Sequence, residues 1–337
     1  MSLLTQASLI LTPTAYKANK LYSVVPSSGN GDLTTTRATT ATRVNSSGLV
    51  ENVATGIPRV DYTNTAPALL LEPQRTNRVL NSATVVTQTI TTTAVANTLS
   101  FYGTGTITLS GTFSGSLVGT GASNRVSLTF TPTAGNLVLT VSGSCTNGQL
   151  EIGSYATSYI PTTTSTVTRN LDDISKTGVS TDILNPSEGT FYVEIAALAN
   201  DLTTRIISIN DGTDFNELKI QFSSVSNIIR LDTYGQTGVG TTANYRSNVT
   251  VTNTTTFHKC LIKWSGSGGT SGITMYVDGV KYTPFLAAGT GTGIPTTLNR
   301  IEFKQYYAAN YFYGKCKGMQ IYKTALTDAE CASLTTL

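Results

Sequence analysis

The sequence is poor in charged residues, in cysteine and in histidine. Only 12% of its 337 residues are charged, and it contains four cysteines and one histidine. So little charge argues against an intrinsically disordered chain, which normally avoids burial by being highly charged. Cys145, Cys260, Cys316 and Cys331 are far apart and include no Cys-x-x-Cys pair. A zinc site is therefore not expected, and four buried free thiols are.

Clustered basic residues and long apolar runs are also missing. The net charge is +3 and the Lys and Arg residues are scattered, so no nucleic-acid partner is expected. No window of about 18 uncharged apolar residues occurs, which predicts no membrane insertion. The start, "MSLLTQASLILTP", lacks the positive segment of a signal peptide. We therefore expect a protein made in a cytosol and not exported by a signal peptide.

Thr, Ser, Gly and Asn take the place of charge, and this composition is typical of strands and turns. We predict an all-β protein with three regions. The first, residues 1–80, holds five of the 10 prolines, so we predict an extended N-terminal arm with little regular structure. Its apolar segments should anchor it on the next domain or on a neighbouring subunit of a homo-oligomer. The anchor residues are Leu9, Ile10, Leu11, Leu69, Leu70 and Leu71.

The second region, residues 81–170, shows short alternating strands. In "TITLSG", Ile107 and Leu109 alternate with threonines, and "RVSLTF" and "NLVLTV" repeat the pattern. Alternation between Gly, Asn and Ser turns predicts a small antiparallel β-sandwich.

The third region, residues 171–337, contains eight strand candidates and predicts a second antiparallel sandwich. In "ITMYVDGVKY", Asp278 and Gly279 stand between two apolar strands, which predicts a type I′ hairpin. In "TALTDAECASL", Thr327 and Glu330 have the spacing of a capping box, which predicts a short helix.

Two resemblances follow from these strings. The third region resembles the laminin-G-like, concanavalin-A-like jelly roll in "FHKCLIKW", "MYVDGVKY" and "YFYGKCKGMQIYKTALTDAECASL". The first two regions resemble tailed-bacteriophage virion proteins in "KLYSVVP", "GDLTTTRATTATRVNSSGLVENVATGIPRVDYT", "LLLEPQRTN" and "QLEIGSYATSYIPT". The second resemblance implies a structural protein of the virion surface, made in the host bacterial cytoplasm. It would be a tail fibre, a head fibre or a capsid decoration, with capsid or tail proteins as partners.

Catalysis is not expected. The one histidine, His258, shares a strand face with Cys260, Ile262 and Trp264, as a core residue would. The jelly-roll resemblance keeps a glycan-degrading enzyme as one alternative function, because glycanases share that fold. An adhesin with no role in particle architecture is the other. A retaining glycosidase needs two carboxyl groups about 5 Å apart. The Glu-x-Asp-x-x-Glu pattern of such glycanases is absent.

The acidic segment "DGTDFNE" contains Asp211, Asp214 and Glu217. Asp-Gly chemistry predicts a solvated turn here, with Glu217 facing away from Leu218 and Ile220. A Ca²⁺ site is the alternative, because several oxygen ligands on one loop suit a hard cation. No other cofactor is predicted.

A glycan-binding surface is predicted where tyrosines accompany amide and guanidinium donors, with a host-surface glycan as the ligand. Tyrosine combines an apolar ring with a hydroxyl and is a good contact residue when exposed. The alternative is that the tyrosines fill the core or subunit contacts. The candidate residues are Tyr234, Tyr245, Arg246, Tyr306, Tyr307, Asn310 and Tyr311.

In "LLLEPQRTN", an apolar run meets a polar one. We predict that the leucines form a short covered strand and that Pro73 ends it. Glu72 and Arg75 lie three apart across a turn and could form an exposed pair, but Arg75 and Asn77 are expected instead to satisfy backbone groups where the chain enters the second region. An exposed ion pair of this kind contributes at most about 1 kcal/mol.

Overall fold

A computed structural model describes residues 2–63, 66–238, 241–266, 268–306 and 310–337, and only the backbone at residues 237, 238 and 241. The prediction of an all-β protein built from antiparallel β-sandwiches is confirmed. All four cysteines are buried and free. Within the described ranges, no helix is long and apolar enough to cross a membrane.

The large sandwich draws its strands from both ends of the chain. Its first-half strands are β1 (Leu9–Lys17), β2 (Lys20–Val25), β3 (Leu33–Thr36), β4 (Ala41–Val44), β5 (Val50–Val53), β6 (Arg59–Asp61), β7 (Ala68–Leu71) and β8 (Arg75–Asn77), preceded by helix α1 (Leu3–Gln6). Of these, β4 and β5 form a separate hairpin, and β8 belongs to a separate two-stranded sheet.

The small sandwich is inserted next. Its strands are β9 (Gln88–Thr92), β10 (Asn97–Gly103), β11 (Thr106–Gly111), β12 (Gly115–Val118), β13 (Gly121–Phe130), β14 (Gly135–Ser142) and β15 (Cys145–Ile152).

The second half of the chain completes the large sandwich. Strand β16 (Val167–Arg169) comes first and pairs with β8 in a separate two-stranded sheet. The strands of the large sandwich are β17 (Asp173–Thr177), β18 (Gly189–Ala197), β19 (Arg205–Asn210), β20 (Glu217–Phe222), β21 (Ile228–Gly238), β22 (Thr241–Thr250), β23 (His258–Trp264), β24 (Ile273–Val277), β25 (Val280–Tyr282), β26 (Phe285–Gly289), β27 (Arg300–Glu302) and β28 (Gly314–Tyr322). Helices α2 (Gly269–Gly272) and α3 (Asp328–Thr335) lie among and after them.

Two sheet layers enclose the main core. One runs in the order β25-β24-β23-β18-β28-β1, with β7 and β6 beside the far end of β28. The other runs β3-β17-β27-β19-β20-β21-β22-β26. Alternate residues of both layers point inward, among them Trp264, Phe191 and Leu231, all fully buried. The outer side of the first layer is covered by α3, whose Cys331 packs against Tyr276 and Tyr322.

The predicted N-terminal arm is an integral part of the large sandwich. Strand β1 pairs with β28, placing Leu9 opposite Ile321, and β7 pairs with β28, placing Leu69 opposite Cys316. Leu9, Leu11, Leu69 and Leu71 belong to the main core, and Leu70 is buried as well. Ile10 packs partly buried against the cluster under α3. These anchor residues therefore pack within their own chain, because their strands, β1 and β7, pair with β28, which lies more than 240 residues further along the sequence.

The small sandwich has two sheets, β13-β10-β15 and β12-β11-β14-β9, around its own core. Ile107 and Leu109 are buried in it, as the alternation predicts. The chain enters along β8 and leaves along β16, and these two strands pair, with Arg75 opposite Arg169. The small sandwich is thus an insertion on a two-stranded neck.

A buried charge network joins the neck to the large sandwich. Glu72 accepts hydrogen bonds from Arg59 Nη1 at 2.6 Å and from the backbone and hydroxyl of Ser158 at 2.7 and 2.6 Å. Arg169 Nη1 lies 2.8 Å from the same carboxylate. Asp172 pairs with Arg59 and, at 2.7 Å, with Arg37. We call these five charged residues the junction network.

The exposed Glu72–Arg75 pair that the spacing suggested is corrected by this arrangement. Glu72 is 3% exposed, and Arg75 Nε lies 3.6 Å from Glu151 instead. Residues far away in sequence supply the partners of Glu72, so the local spacing misleads. The predicted short strand before Pro73 is present as β7.

Candidate functional site

Five adjacent strands present a polar outer side on the second layer. Strand β20 shows why: Leu218, Ile220 and Phe222 point into the core, so Glu217, Lys219 and Gln221 point outward. The register carries this alternation onto the neighbours, with Lys219 between Ser208 and Asp232, and Asp232 opposite Arg246. We call this side of β19, β20, β21, β22 and β27 the polar face. Its residues are Ser208, Asn210, Glu217, Lys219, Gln221, Arg230, Asp232, Tyr234, Asn244, Arg246 and Glu302.

Asp232 is held on the polar face by three donors. Arg246 Nε donates to it at 2.6 Å, Arg230 Nε at 3.0 Å and Asn244 Nδ2 at 3.2 Å. The carboxylate itself has no exposed surface, whereas the guanidinium side chains remain 23% and 29% exposed. A ligand on this face would therefore meet the arginine side chains first, with Asp232 fixing their positions.

Glu217 has a different environment. Lys219 Nζ lies 3.1 Å from its Oε2, but neither oxygen receives a well-formed hydrogen bond from any residue the structure describes. Burial raises the pKa of Glu217 to about 7, against the attraction of Lys219, which lowers it. The ammonium of Lys219 also lies 4.2 Å from the ring centroid of Tyr234, within the range of a cation–π contact. Glu217 can thus exchange a proton near neutral pH.

The edge of the polar face near β27 adds amide and aromatic groups. Asn210 Nδ2 donates to Glu302 at 2.9 Å. The guanidinium of Arg300 lies 5.1 Å from the ring centroid of Tyr306. Tyr306 is 38% exposed. An exposed aromatic ring therefore borders the buried polar groups.

The predicted glycan-binding residues do not form one cluster. Tyr234 and Arg246 come together on the polar face, and Tyr306 borders it. Tyr311 stacks on Tyr313 at 5.9 Å and lies 5.4 Å from Lys304 Nζ, while Asn310 donates to Gln305. Tyr307 lies outside the described residues.

Tyr245 is corrected by the structure. It alternates with Asn244 and Arg246, so its ring points into the main core and its hydroxyl donates to Gly291 O at 3.2 Å. A residue on the inner side of β22 is not available to a ligand on the outer side.

The predicted metal ligands do not converge. Asp211 accepts hydrogen bonds from Thr213 N at 2.9 Å, Asn216 Nδ2 at 2.8 Å and Thr297 Oγ1 at 2.5 Å, which makes it part of a turn. Asp214 is half-buried and Glu217 is 1% exposed. In the described part of the chain, no group of three or more His, Cys, Asp or Glu residues is placed to hold a metal ion. The solvated-turn interpretation fits Asp211 but not Glu217.

Most of the polar face was not singled out from the sequence. Lys219, Asp232, Asn244 and Glu302 are charged or amide residues buried to 4% exposure or less. The signal that would have found them is polar residues at every second position of consecutive strands, as in "ELKIQF" and "RLDTY". An outer side that has charged residues at these positions and is nevertheless buried is unusual.

No known protein family and no curated protein matches this sequence. Solved structures similar to it include the IT-sialidase CBM40 domain of Ruminococcus gnavus bound to α2,3-sialyllactose, with 15% identity over 45% of this chain and 83% of that one and a TM-score of 0.35. The binding domain of botulinum neurotoxin DC in complex with rat synaptotagmin II is 13% identical over 49% and 40%, with a TM-score of 0.36. The NanB sialidase of Streptococcus pneumoniae is 14% identical over 48% and 26%, also at 0.36.

Proposed function

We propose that this protein is a structural component of a bacteriophage particle surface that binds glycans through the polar face. The observation that carries the binding part is the polar face itself: guanidinium, carboxylate and amide groups on a rigid sheet, with Tyr234 among them and Tyr306 at the border. Sugars need such donors and acceptors for their hydroxyl groups and an aromatic ring for their C–H faces.

The particle part of the proposal is supported by the virion-protein resemblance of the first two regions. Four of the five leucines predicted as anchors fill the main core of their own chain, and Leu70 is buried as well. Contacts with capsid or tail proteins, and between copies in a homo-oligomer, would therefore use other residues.

The binding part is tested with Tyr234→Ala. We expect the best glycan from an array to bind about tenfold more weakly, a loss of about 1.4 kcal/mol, because the ring that packs against the sugar is removed. Isothermal titration calorimetry measures the Kd. Tyr22→Ala is the matched control, since Tyr22 is also half-buried but lies on β2, outside the polar face. Equal affinities for both variants, or no glycan bound by the unaltered protein, would reject the polar face as the site.

The particle part is tested separately. Antibodies against this chain, used in immunogold electron microscopy of purified particles from an infected culture, should label the head or the tail. Particles without this chain would reject the virion role while leaving glycan binding standing.

One observation favours a second function. Glu217 is buried, lacks well-formed hydrogen-bond donors among the described residues and has its pKa raised to about 7, as a general acid of a glycosidase would. Asp232, on the adjacent strand of the same face, would be its partner carboxylate. Release of reducing ends from a polysaccharide panel, abolished by Glu217→Gln, would establish this enzyme; absence of release favours the binding function.

A further inference from the structure

A cavity lies between the two sandwiches and the β4–β5 hairpin. It has a volume of about 730 Å³, and the residues that line it include Tyr62, Tyr102, Ser123, Asn124, Arg125 and Lys315. We call it the junction cleft. It is distant in sequence from the polar face and shares no residue with it.

The carboxylates lining the junction cleft are already saturated. Asp61 accepts from Lys315 Nζ at 2.8 Å, from Thr63 N at 3.0 Å and from Val44 N at 3.1 Å. Glu72, at the floor, is satisfied within the junction network. Neither acid has an oxygen left to attract a cation.

The cations of the cleft are not balanced in the same way. Lys315 pairs with Asp61, and Arg43 with Glu51. Arg125 donates instead to Thr157 O at 2.6 Å and to Ser100 Oγ at 2.8 Å, both uncharged. No carboxylate among the described residues pairs with it.

Unused donors remain at this place. Arg125 is half-buried and lines the cleft, and its described hydrogen bonds use one N–H each of Nη1 and Nη2 out of the five N–H donors of a guanidinium. In the junction network, whose Glu72 also lines the cleft, three guanidiniums face Glu72 and Asp172, with buried Glu151 as a further acid beside Arg169. An anion is therefore the group that the cleft lacks.

The remaining walls suit a sugar. The rings of Tyr62 and Tyr102 are half-buried, so each leaves part of its surface to the cleft. Ser123 and Asn124 are exposed at the rim and offer a hydroxyl and an amide. The volume lies within the usual range for a site that holds a small ligand.

We propose that the junction cleft binds an acidic saccharide, with its carboxylate on Arg125 and its rings against Tyr62 and Tyr102. The proposal does not require the polar face to be a glycan site. It names carboxylated sugars as the ligand class, in contrast to neutral ones.

The test uses matched ligand pairs and the full chain. Trigalacturonate is compared with its carboxyl-reduced counterpart, and 3′-sialyllactose with lactose, by isothermal titration calorimetry. At least one acidic member should bind ten times or more tighter than its neutral partner. Raising NaCl from 50 to 500 mM should weaken only the acidic member, because ion pairs are screened.

Variants locate the binding. Arg125→Gln should weaken the acidic ligand at least tenfold and leave the neutral one unchanged. Arg78→Gln is the matched control, since Arg78 also donates to an uncharged side chain and to a carbonyl of the small sandwich but does not line the cleft. Ser123→Trp should block the cleft without altering Arg125, and thermal unfolding should show each variant folded.

Several outcomes would overturn the proposal. These are no binding of either acidic sugar, equal binding of acidic and neutral members, or unchanged binding by both Arg125→Gln and Ser123→Trp. Competition by a triglutamate peptide at the same concentration would overturn the saccharide class. Loss of binding in Tyr234→Ala but not in Arg125→Gln would move the ligand to the polar face, so the two proposals can fail independently.

Discussion

Glu72 and Glu217 are both buried, yet their surroundings give them opposite charge behaviour. Glu72, 3% exposed, receives hydrogen bonds from Arg59 and Ser158 and lies beside Arg169. Glu217, 1% exposed, has only Lys219 within ion-pair distance and no well-formed hydrogen bond among the described residues. The comparison teaches that donors, rather than burial alone, decide whether a buried carboxyl group is charged.

The pKa values follow these surroundings. Burial opposes charge at Glu72, but the guanidiniums of Arg169 and Arg59 and the donors of Ser158 hold its pKa well below its usual range. At Glu217, burial prevails over Lys219 and raises the pKa to about 7. One glutamate therefore holds the sandwiches together as a fixed anion, and the other titrates on the proposed binding surface.

The largest expected effect comes from Glu72→Gln. The substitution keeps the shape but leaves three guanidiniums with Asp172 as their one carboxylate. Breaking a buried ion pair from one side costs about 3–5 kcal/mol, so the free energy of unfolding measured in urea at pH 7 should fall by that amount. Glu51→Gln is the control: the Glu51 side chain is 35% exposed, and its loss should cost less than about 1 kcal/mol. A similar small loss for both variants would contradict the comparison.

Glu217→Gln should have a somewhat smaller effect of opposite sign, and one that depends on pH. An unfolded glutamate titrates near 4.5 and the folded one near 7, so the wild-type protein loses stability as pH rises between these values and stays level above them. The loss is about 3 kcal/mol. The Gln variant lacks it and should match the wild type at pH 4 but be more stable at pH 8. Urea unfolding at both pH values measures this.

Glu72 should give the reverse pH dependence. Its stabilisation is complete above the unfolded pKa and is lost as pH falls through the lowered folded value. The stability difference between wild type and Glu72→Gln should therefore shrink below about pH 4.5, whereas that of Glu217→Gln should grow above it. Parallel pH profiles would refute the assignment of opposite roles.

The smallest effect is expected at an exposed carboxylate. The Asp328 side chain is 51% exposed at the start of α3 and pairs with Lys281 at 2.5 Å and with Lys263. Asp328→Asn should cost about 1 kcal/mol or less at low salt. The cost should vanish in 1 M NaCl, where exposed pairs are screened, while that of Glu72→Gln should persist. Urea unfolding at both salt concentrations separates the two cases.

Local signals in the sequence predicted local structure well. Asp278 and Gly279 both have positive φ, 51° and 81°, and join β24 to β25, as Asp-Gly between apolar strands predicts. Thr327 and Glu330 form both hydrogen bonds of the capping box at α3. His258 is buried beside the core row and lies 2.6 Å from Asp278 Oδ2. Each of these features depends on residues within one hairpin or one turn. The burial of His258 depends on the packing of the core as well.

Features that depend on distant pairing were not predictable in the same way. The first region was expected to be an arm, but strands far along the chain complete its sheets, as when Leu9 lies opposite Ile321 and Thr35 opposite Ile174. Glu72 was expected to be exposed because Asp172 and Ser158 follow it by 100 and 86 residues. The alternation of polar and apolar residues in "ELKIQF" predicted that Glu217 faces away from the core. Its burial could not be predicted, because it depends on the neighbouring strands β19 and β21.

The two-stranded neck has an evolutionary consequence. Asn77 is opposite Val167, so the ends of the inserted segment are neighbours, and its length places no demand on the remaining strands. Segments with adjacent ends are those that tolerate insertion and domain exchange. Recombination can thus replace the whole small sandwich as a cassette, provided that the new cassette again supplies donors where Ser158 now meets Glu72.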